Sequence, residues 1–257
     1  MIITTGNRPI PEIEARAQQL AERTGCRYVA RGDTSLNKLM ERCGGEETLV
    51  VLQEAVRLLQ PGAAPMEFHP SMGFVRAKRV LRGDTDPMLE AAGMLPGDSV
   101  LDCTAGLGTD SLLFAVYGGE ESHVTALESS LPLYVLLLEG MSHYISGQEK
   151  VNTALRRIEV VHSSHLDYLR AQPDQSVDIV YFDPMFRVPL NASAAISPLR
   201  HFANGDALSP DSVAEALRVA RKCVLLKEKA LSSEFARLGF HELLRSNSKT
   251  SYGVITK

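Results

Sequence analysis

The chain has 257 residues, 44% of them hydrophobic and 23% charged, a usage that excludes disorder, collagen-like repeats and fibres as its overall state. Lys and Arg number 27 against 31 Asp and Glu, a formal charge of −4. There is then no global positive field to hold nucleic acid non-specifically, and any such contact must be local.

The length suits one main domain with a smaller one attached, either able to bury a core. The N-terminus carries no charged, apolar and small-residue leader, and the longest apolar run, Leu133–Leu138, is far short of the ~20 residues of a membrane span. A cytoplasmic protein without membrane contact is expected. Cys26, Cys43, Cys103 and Cys223 are widely spaced, which predicts reduced thiols rather than a disulfide framework or a zinc site.

In chain order, Ile2–Thr5 reads as a strand and Pro11–Arg23 as a helix stopped at Gly25. Arg27–Ala30 and Thr48–Gln53 read as strands around a helix Leu36–Arg42, and 60–65 as a linker. This predicts a small N-terminal α/β unit over residues 1–67, ahead of a larger domain over 68–257.

The larger part opens with a basic segment, Arg76, Lys78, Arg79 and Arg82, and a helix Pro87–Ala92. Strands Ser99–Thr104, His123–Glu128, Ile158–His162, Val177–Phe182 and Cys223–Lys227 then alternate with helices Asp110–Tyr117, Leu131–Tyr144, His165–Ala171 and Asp211–Ala220. Phe240–Arg245 and Tyr252–Thr256 read as a terminal hairpin. Such alternation predicts a doubly wound parallel sheet covered on both faces, with its ligand at the carboxyl ends of the strands. The loop from Pro184 to about Ala207 is too long to be idle.

Three strand ends carry chemistry. Asp102-Cys-Thr-Ala-Gly-Leu-Gly-Thr-Asp110 turns the first strand of this sheet into a helix. Gly106 and Gly108 let the backbone approach a ligand, and the helix N-terminus suits a carboxylate or phosphate; a tight turn for packing would use the same glycines. Where the dinucleotide fingerprint has its third glycine stands Ser111, which weakens a nicotinamide reading. Glu128, 22 residues beyond Gly106, has the spacing of an acid that binds ribose hydroxyls. In Tyr181-Phe-Asp-Pro-Met-Phe186, Pro184 biases Asp183 toward an extended conformation and holds its carboxylate rigidly, able to accept from an amine. Phe186 is placed to stack on the base carrying that amine. The histidines make no metal-ligand spacing, so no metal is expected.

Taken together, the Thr-Ala-Gly-Leu-Gly turn, the acid at the second strand end, His162-Ser-Ser164 at the third and Asp183-Pro-Met-Phe186 at the fourth resemble class I S-adenosylmethionine-dependent methyltransferases. More closely they resemble the ribosomal RNA small-subunit methyltransferase J family, which makes N2-methylguanosine in 16S rRNA. The resemblance covers roughly residues 68–257. It implies a Rossmann-like methyltransferase sheet and S-adenosylmethionine as cofactor, with small-subunit ribosomal RNA as partner. It also implies cofactor contacts from Thr109, Asp110, Glu128, Ser129, Ser163, Ser164 and Asp183, beside Asp102, Gly106 and Gly108 in the turn.

Asp183, Pro184 and Phe186 would then position the acceptor, and Arg76, Lys78, Arg79, Arg82 and Arg187 would meet RNA phosphates. Arg187-Val-Pro-Leu190 and Leu226-Lys-Glu-Lys229 depart from the family's Pro-His-Lys-like and Val-Lys-Arg-Pro stretches. A different acceptor, a nicotinamide-dependent oxidoreductase and a non-catalytic binding module remain the alternatives, and the oligomeric state is open.

Overall fold

The computed structural model describes residues 1–184, 202, 206–243 and 248–257; Phe186 and Arg187 lie outside them. A first sheet gathers β1 (Ile2–Thr5), β2 (Arg27–Tyr28), β3 (Thr48–Val51), β4 (Val56–Leu59) and β5 (Met66–Glu67), with α1 (Pro11–Thr24) and α2 (Leu36–Arg42) between them. Its order is β2-β1-β3-β4-β5; β1 runs parallel to β2 and β3, while β4 and β5 continue antiparallel. The expected linker at 60–65 is instead the turn joining β4 to β5, where the Ala63 N–H donates to the Gln60 carbonyl at 3.2 Å. Pro and Gly mark turns and linkers alike, and only strand pairing separates the two.

The second sheet contains β6 (Val100–Asp102), β7 (Val124–Glu128), β8 (Glu159–His162), β9 (Val177–Phe182), β10 (Ala220–Lys229), β11 (His241–Leu243) and β12 (Thr250–Thr256). Its order is β11-β12-β10-β9-β6-β7-β8. β8, β7, β6, β9 and β10 are parallel, and β12 lies antiparallel between β10 and β11. Its helices are α3 (Ser71–Val80), α4 (Pro87–Ala92), α5 (Thr109–Gly118), α6 (Leu131–His143), α7 (Glu149–Arg157), α8 (His165–Ala171), α9 (Pro210–Val219) and α10 (Ser233–Leu238). Strand order reverses between β6 and β9, the switch point at which a doubly wound sheet opens its ligand crevice.

Along β9, Ile179 and Tyr181 are buried in one core and Val180 and Phe182 in the other. Two-residue periodicity with both faces covered is why its stretch Ile179–Phe182 is apolar without a break. In α6, Leu133, Val135, Leu136 and Leu137 are fully buried, each worth about 1.5–3 kcal/mol over an exposed position. The same core takes in Ile3, Leu49, Val51 and Leu58 of the small sheet. Apolar packing therefore runs without a break from one sheet to the other through α6, and Arg16 of α1 meets the buried Glu139 of α6 at 2.6 Å.

Three helices, α3, α7 and α10, are additions to the elements expected from the sequence. α7 buries Val151, Ala154 and Leu155, the i, i+3, i+4 spacing of an amphipathic helix, in a segment only nine residues long. α3 packs so closely on α5 that a Cβ on Gly73 would stand 2.5 Å from the Thr109 carbonyl oxygen. Backbone cannot yield as a flexible side chain does. Gly73→Ala is expected to lose about 1–3 kcal/mol, seen as a lower urea midpoint at unchanged slope.

Candidate functional site

The turn after β6 assigns its glycines different tasks. Gly106 and Gly108 take φ values of +54° and +69°, in the left-handed region that favours glycine. Open space lies where Gly106 would carry a Cβ, whereas a Cβ on Gly108 would strike Met141 and Leu137 of α6. One glycine clears room at the crevice and the other permits packing. Gly108 also forms the N-terminal boundary of α5, with no side chain capping it. Asp102 lies beneath the turn, 1% exposed, accepting from the Thr104 N–H at 3.1 Å and the Ser111 hydroxyl at 2.5 Å. Burial pushes its carboxyl up to about 7 against those hydrogen bonds. Its place is to brace the loop from below, so it reaches a ligand through Thr104 and the turn rather than directly.

Glu128 closes β7 across from this turn and accepts the Gly106 N–H at 3.2 Å and the Ser130 N–H at 2.8 Å. Burial raises its pKa while those N–H groups oppose the rise. Ser129 is exposed beside it, and its carbonyl meets His162 Nε2 at 3.0 Å. His162 in turn stacks on Tyr134, with ring centroids 5.1 Å apart. The Ser163 N–H donates to the Glu128 carbonyl at 3.2 Å, and Ser164 caps α8 by accepting the Asp167 N–H at 3.2 Å. The four residues Glu128, Ser129, Ser163 and Ser164 thus converge at two adjacent strand ends, although the Ser164 hydroxyl is engaged in its cap.

Asp183 follows β9 directly. Its N–H donates to Thr104 Oγ1 at 2.6 Å, and its Oδ2 accepts from Lys227 Nζ at 2.7 Å. The same ammonium reaches Asp110 Oδ2 at 2.9 Å. Asp110 also accepts from the Tyr181 hydroxyl at 2.8 Å and pairs with Arg76. Burial works against charge on Asp110, but Lys227 and Arg76 outweigh it and hold the carboxyl well below the usual carboxylate range. For Asp183 burial dominates: it raises the pKa, Lys227 pulls it back, and Asp110 adds to the rise. With all five ionised, Arg76 and Lys227 face Asp86, Asp110 and Asp183. One negative charge is left over, and Asp183 is the least covered of the carboxylates, its side chain 27% exposed.

The basic segment divides. Arg76, expected at an RNA surface, points inward: its guanidinium grips Asp86 at 2.8 and 2.9 Å and also binds Asp110. Burial opposes its charge, yet both carboxylates hold the guanidinium pKa up. Placement on the inner face of α3 decides this, and a charge count along the sequence cannot. Lys78 lies over the Phe74 ring at 5.4 Å, Arg79 makes an exposed pair with Asp84 at 3.2 Å, and Arg82 is exposed. Lys227 is a largely covered partner of two carboxylates. Its only sequence signal is its position directly after the apolar stretch Cys223–Leu226 of β10. Among the described residues there is no group of His, Cys, Asp and Glu able to hold a metal, and no helix long and apolar enough to cross a membrane.

This sheet order, with an antiparallel strand inserted near one edge, a glycine turn after the first parallel strand, an acid ending the second and Asp-Pro after the fourth, defines a class I S-adenosylmethionine-dependent methyltransferase. A family model described as "Putative SAM-dependent methyltransferase" matches residues 39–237, and the chain belongs to that family. It is 37% identical over 254 residues to the uncharacterised protein YpiP of Bacillus subtilis, covering 99% of this chain and 98% of that one. With ribosomal RNA small subunit methyltransferase J of Pseudomonas syringae pv. tomato it shares 30% identity over 173 residues, 65% of this chain and 62% of the relative. The crystal structure of the SAM-dependent methyltransferase NGO1261 from Neisseria gonorrhoeae shares the fold, with a TM-score of 0.67 at 21% identity, covering 100% of this chain and 96% of that one. The cofactor is S-adenosylmethionine, and the nicotinamide alternative falls away. The open side of Gly106 and the carboxylate of Glu128 facing it fit that molecule.

Proposed function

We propose that this protein methylates an exocyclic amine of a nucleic-acid base, the acceptor being guanine N2 in small-subunit ribosomal RNA, and that it does so in the cytoplasm. The observation that carries this reading is Asp183: a rigidly held, partly exposed carboxylate with surplus negative charge, at the switch point beside the glycine turn. An amine conjugated into a base ring is a weak nucleophile. A carboxylate accepting its N–H aligns the nitrogen and stabilises the positive charge that grows there as the new N–C bond forms.

S-adenosylmethionine supplies an activated methyl whose S–C bond breaks with the electron pair returning to sulfur. The protein then orients the acceptor, excludes water and takes the displaced N–H proton toward Asp183 Oδ1. In this reading Glu128 accepts the ribose hydroxyls, Ser129 and Ser163 border the base of the cofactor, and Thr109 and Asp110 begin the helix facing its carboxylate. Lys78, Arg79 and Arg82 meet RNA phosphates. The name of the Pseudomonas relative supports the RNA acceptor. The net charge of −4 favours a second reading, a small amine or protein side chain as acceptor.

The test is transfer of tritiated methyl from S-adenosylmethionine to 16S rRNA and to 30S subunits from cells lacking this protein, followed by nucleoside analysis. N2-methylguanosine is expected; label appearing only in small amines or protein would overturn the RNA reading. Glu128→Ala is expected to weaken S-adenosylmethionine binding about 10- to 100-fold, the worth of lost hydrogen bonds to a charged acceptor. Calorimetric titration reads this directly, and unchanged affinity would remove Glu128 from the cofactor site.

A further inference from the structure

Among the described residues Lys227 is the cation that touches the proposed acceptor-binding carboxylate, and its side chain is largely covered. It lies on β10 one residue beyond Leu226, which pairs with Phe182 in the parallel register between β10 and β9, so the two strands deliver Lys227 and Asp183 side by side. Two of its three donors are committed, one to Asp183 Oδ2 at 2.7 Å and one to Asp110 Oδ2 at 2.9 Å. Asp110 cannot follow the ammonium, because the Tyr181 hydroxyl and Arg76 fix it from other elements. The Asp183 backbone is pinned separately by Thr104 Oγ1 at 2.6 Å. Among the described residues Asp183 Oδ1 accepts no hydrogen bond.

We propose that Lys227 is a positioning residue for methyl transfer, its ammonium anchored on Asp110 and clamping Oδ2 of Asp183 so that Oδ1 is aimed at the acceptor amine. This rests on the reading of Asp183 given above. A carboxylate free to rotate about its Cβ–Cγ bond presents its oxygens over a range of directions, whereas one held through a single oxygen presents the other in one direction. The charge matters as well as the geometry. Asp183 faces Asp110 of α5, Asp102 of β6, Tyr181 of β9 and Glu228 of β10, with Arg76 of α3 and Tyr252 of β12 behind Asp110. Among these neighbours Lys227 is the cation in direct contact. Without it, partial burial and the surrounding acids raise the Asp183 pKa further, and a protonated Oδ1 neither attracts a developing positive charge nor accepts the amine proton.

The decisive comparison is wild type against Lys227→Met and Lys227→Arg, each followed by carbon-13 NMR of labelled Asp carboxyls, with Asp183→Asn giving the assignment. A charge-balanced variant, Asp110→Asn with Lys227→Met, guards against loss of the fold, since the Arg76–Asp86 pair stays intact. In Lys227→Met the Asp183 titration should move up by at least one pH unit, and in the double variant it should move up by less, because the raising charge of Asp110 is gone as well. With rRNA as acceptor, kcat should fall at least 30-fold, KM for S-adenosylmethionine should stay within threefold, and the acid limb of kcat should move with the titration. Lys227→Arg should restore that limb. An unmoved titration, or a loss of kcat without a shifted limb, overturns the clamp. Absence of RNA methylation by the wild type overturns the acceptor reading instead, and the Asp183 titration then decides the clamp by itself.

Discussion

Asp183→Ala is expected to abolish methyl transfer, with a residual rate at least about 100- to 1,000-fold below wild type, the scale seen when one preorganised charge-stabilising group is removed. The side chain is 27% exposed and its carboxylate bonds only Lys227 among the described residues. Removing it leaves the strand, the Pro184 turn and the Thr104 contact in place, and Lys227 keeps Asp110 as its partner. Circular dichroism and S-adenosylmethionine titration should therefore stay close to wild type while labelled-methyl transfer disappears. Full activity in this variant would end the proposed mechanism. Asp183→Asn separates two functions of the carboxylate: an amide oxygen still accepts the amine N–H but carries no charge and takes no proton, so an intermediate loss is expected.

Asp110→Asn should cause the largest loss of stability of any single change in the site. The carboxylate is the meeting point of α3, β9 and β10 through Arg76, Tyr181 and Lys227. After substitution Arg76 keeps Asp86 and Lys227 keeps Asp183, so neither cation is left unpaired, and the cost is the loss of hydrogen bonds to a charged acceptor, about 1.5–3 kcal/mol. The chemical denaturation midpoint should fall accordingly. The loss should also depend on pH in a defined direction. The folded-state pKa of Asp110 lies below its unfolded value near ~3.9, so its stabilisation is complete above about pH 4 and drains away as pH falls through the folded value. Wild type and Asp110→Asn should therefore differ most near neutrality and converge in strong acid. A constant difference across pH would show that the charge of Asp110 is not what stabilises the fold.

Much of the architecture is legible in the residues because it is local. The stretches Val124–Leu127 and Ile179–Phe182 are buried on both faces and mostly apolar, which periodicity detects without a partner. Asp183-Pro184 and the glycines of 102–110 stand out because proline and left-handed glycine restrict the backbone wherever they occur. Elements with little local signal are harder: β5 is two residues long, and α7 is only nine. The turn at 60–65 carries the same residues as a linker would.

The sequence by itself determined the doubly wound sheet through local periodicity, placed Glu128 and Asp183 at strand ends, and through its resemblance to a known family implied the cofactor class. Only the tertiary structure decided that Arg76 faces inward, that Gly108 serves packing while Gly106 leaves room for a ligand, and that Lys227 joins Asp110 to Asp183. The reason is physical. A charged side chain looks the same in sequence whether water or a carboxylate 117 residues away satisfies it, and it is the register of β10 on β9 and the packing of α3 on α5 that choose the partner.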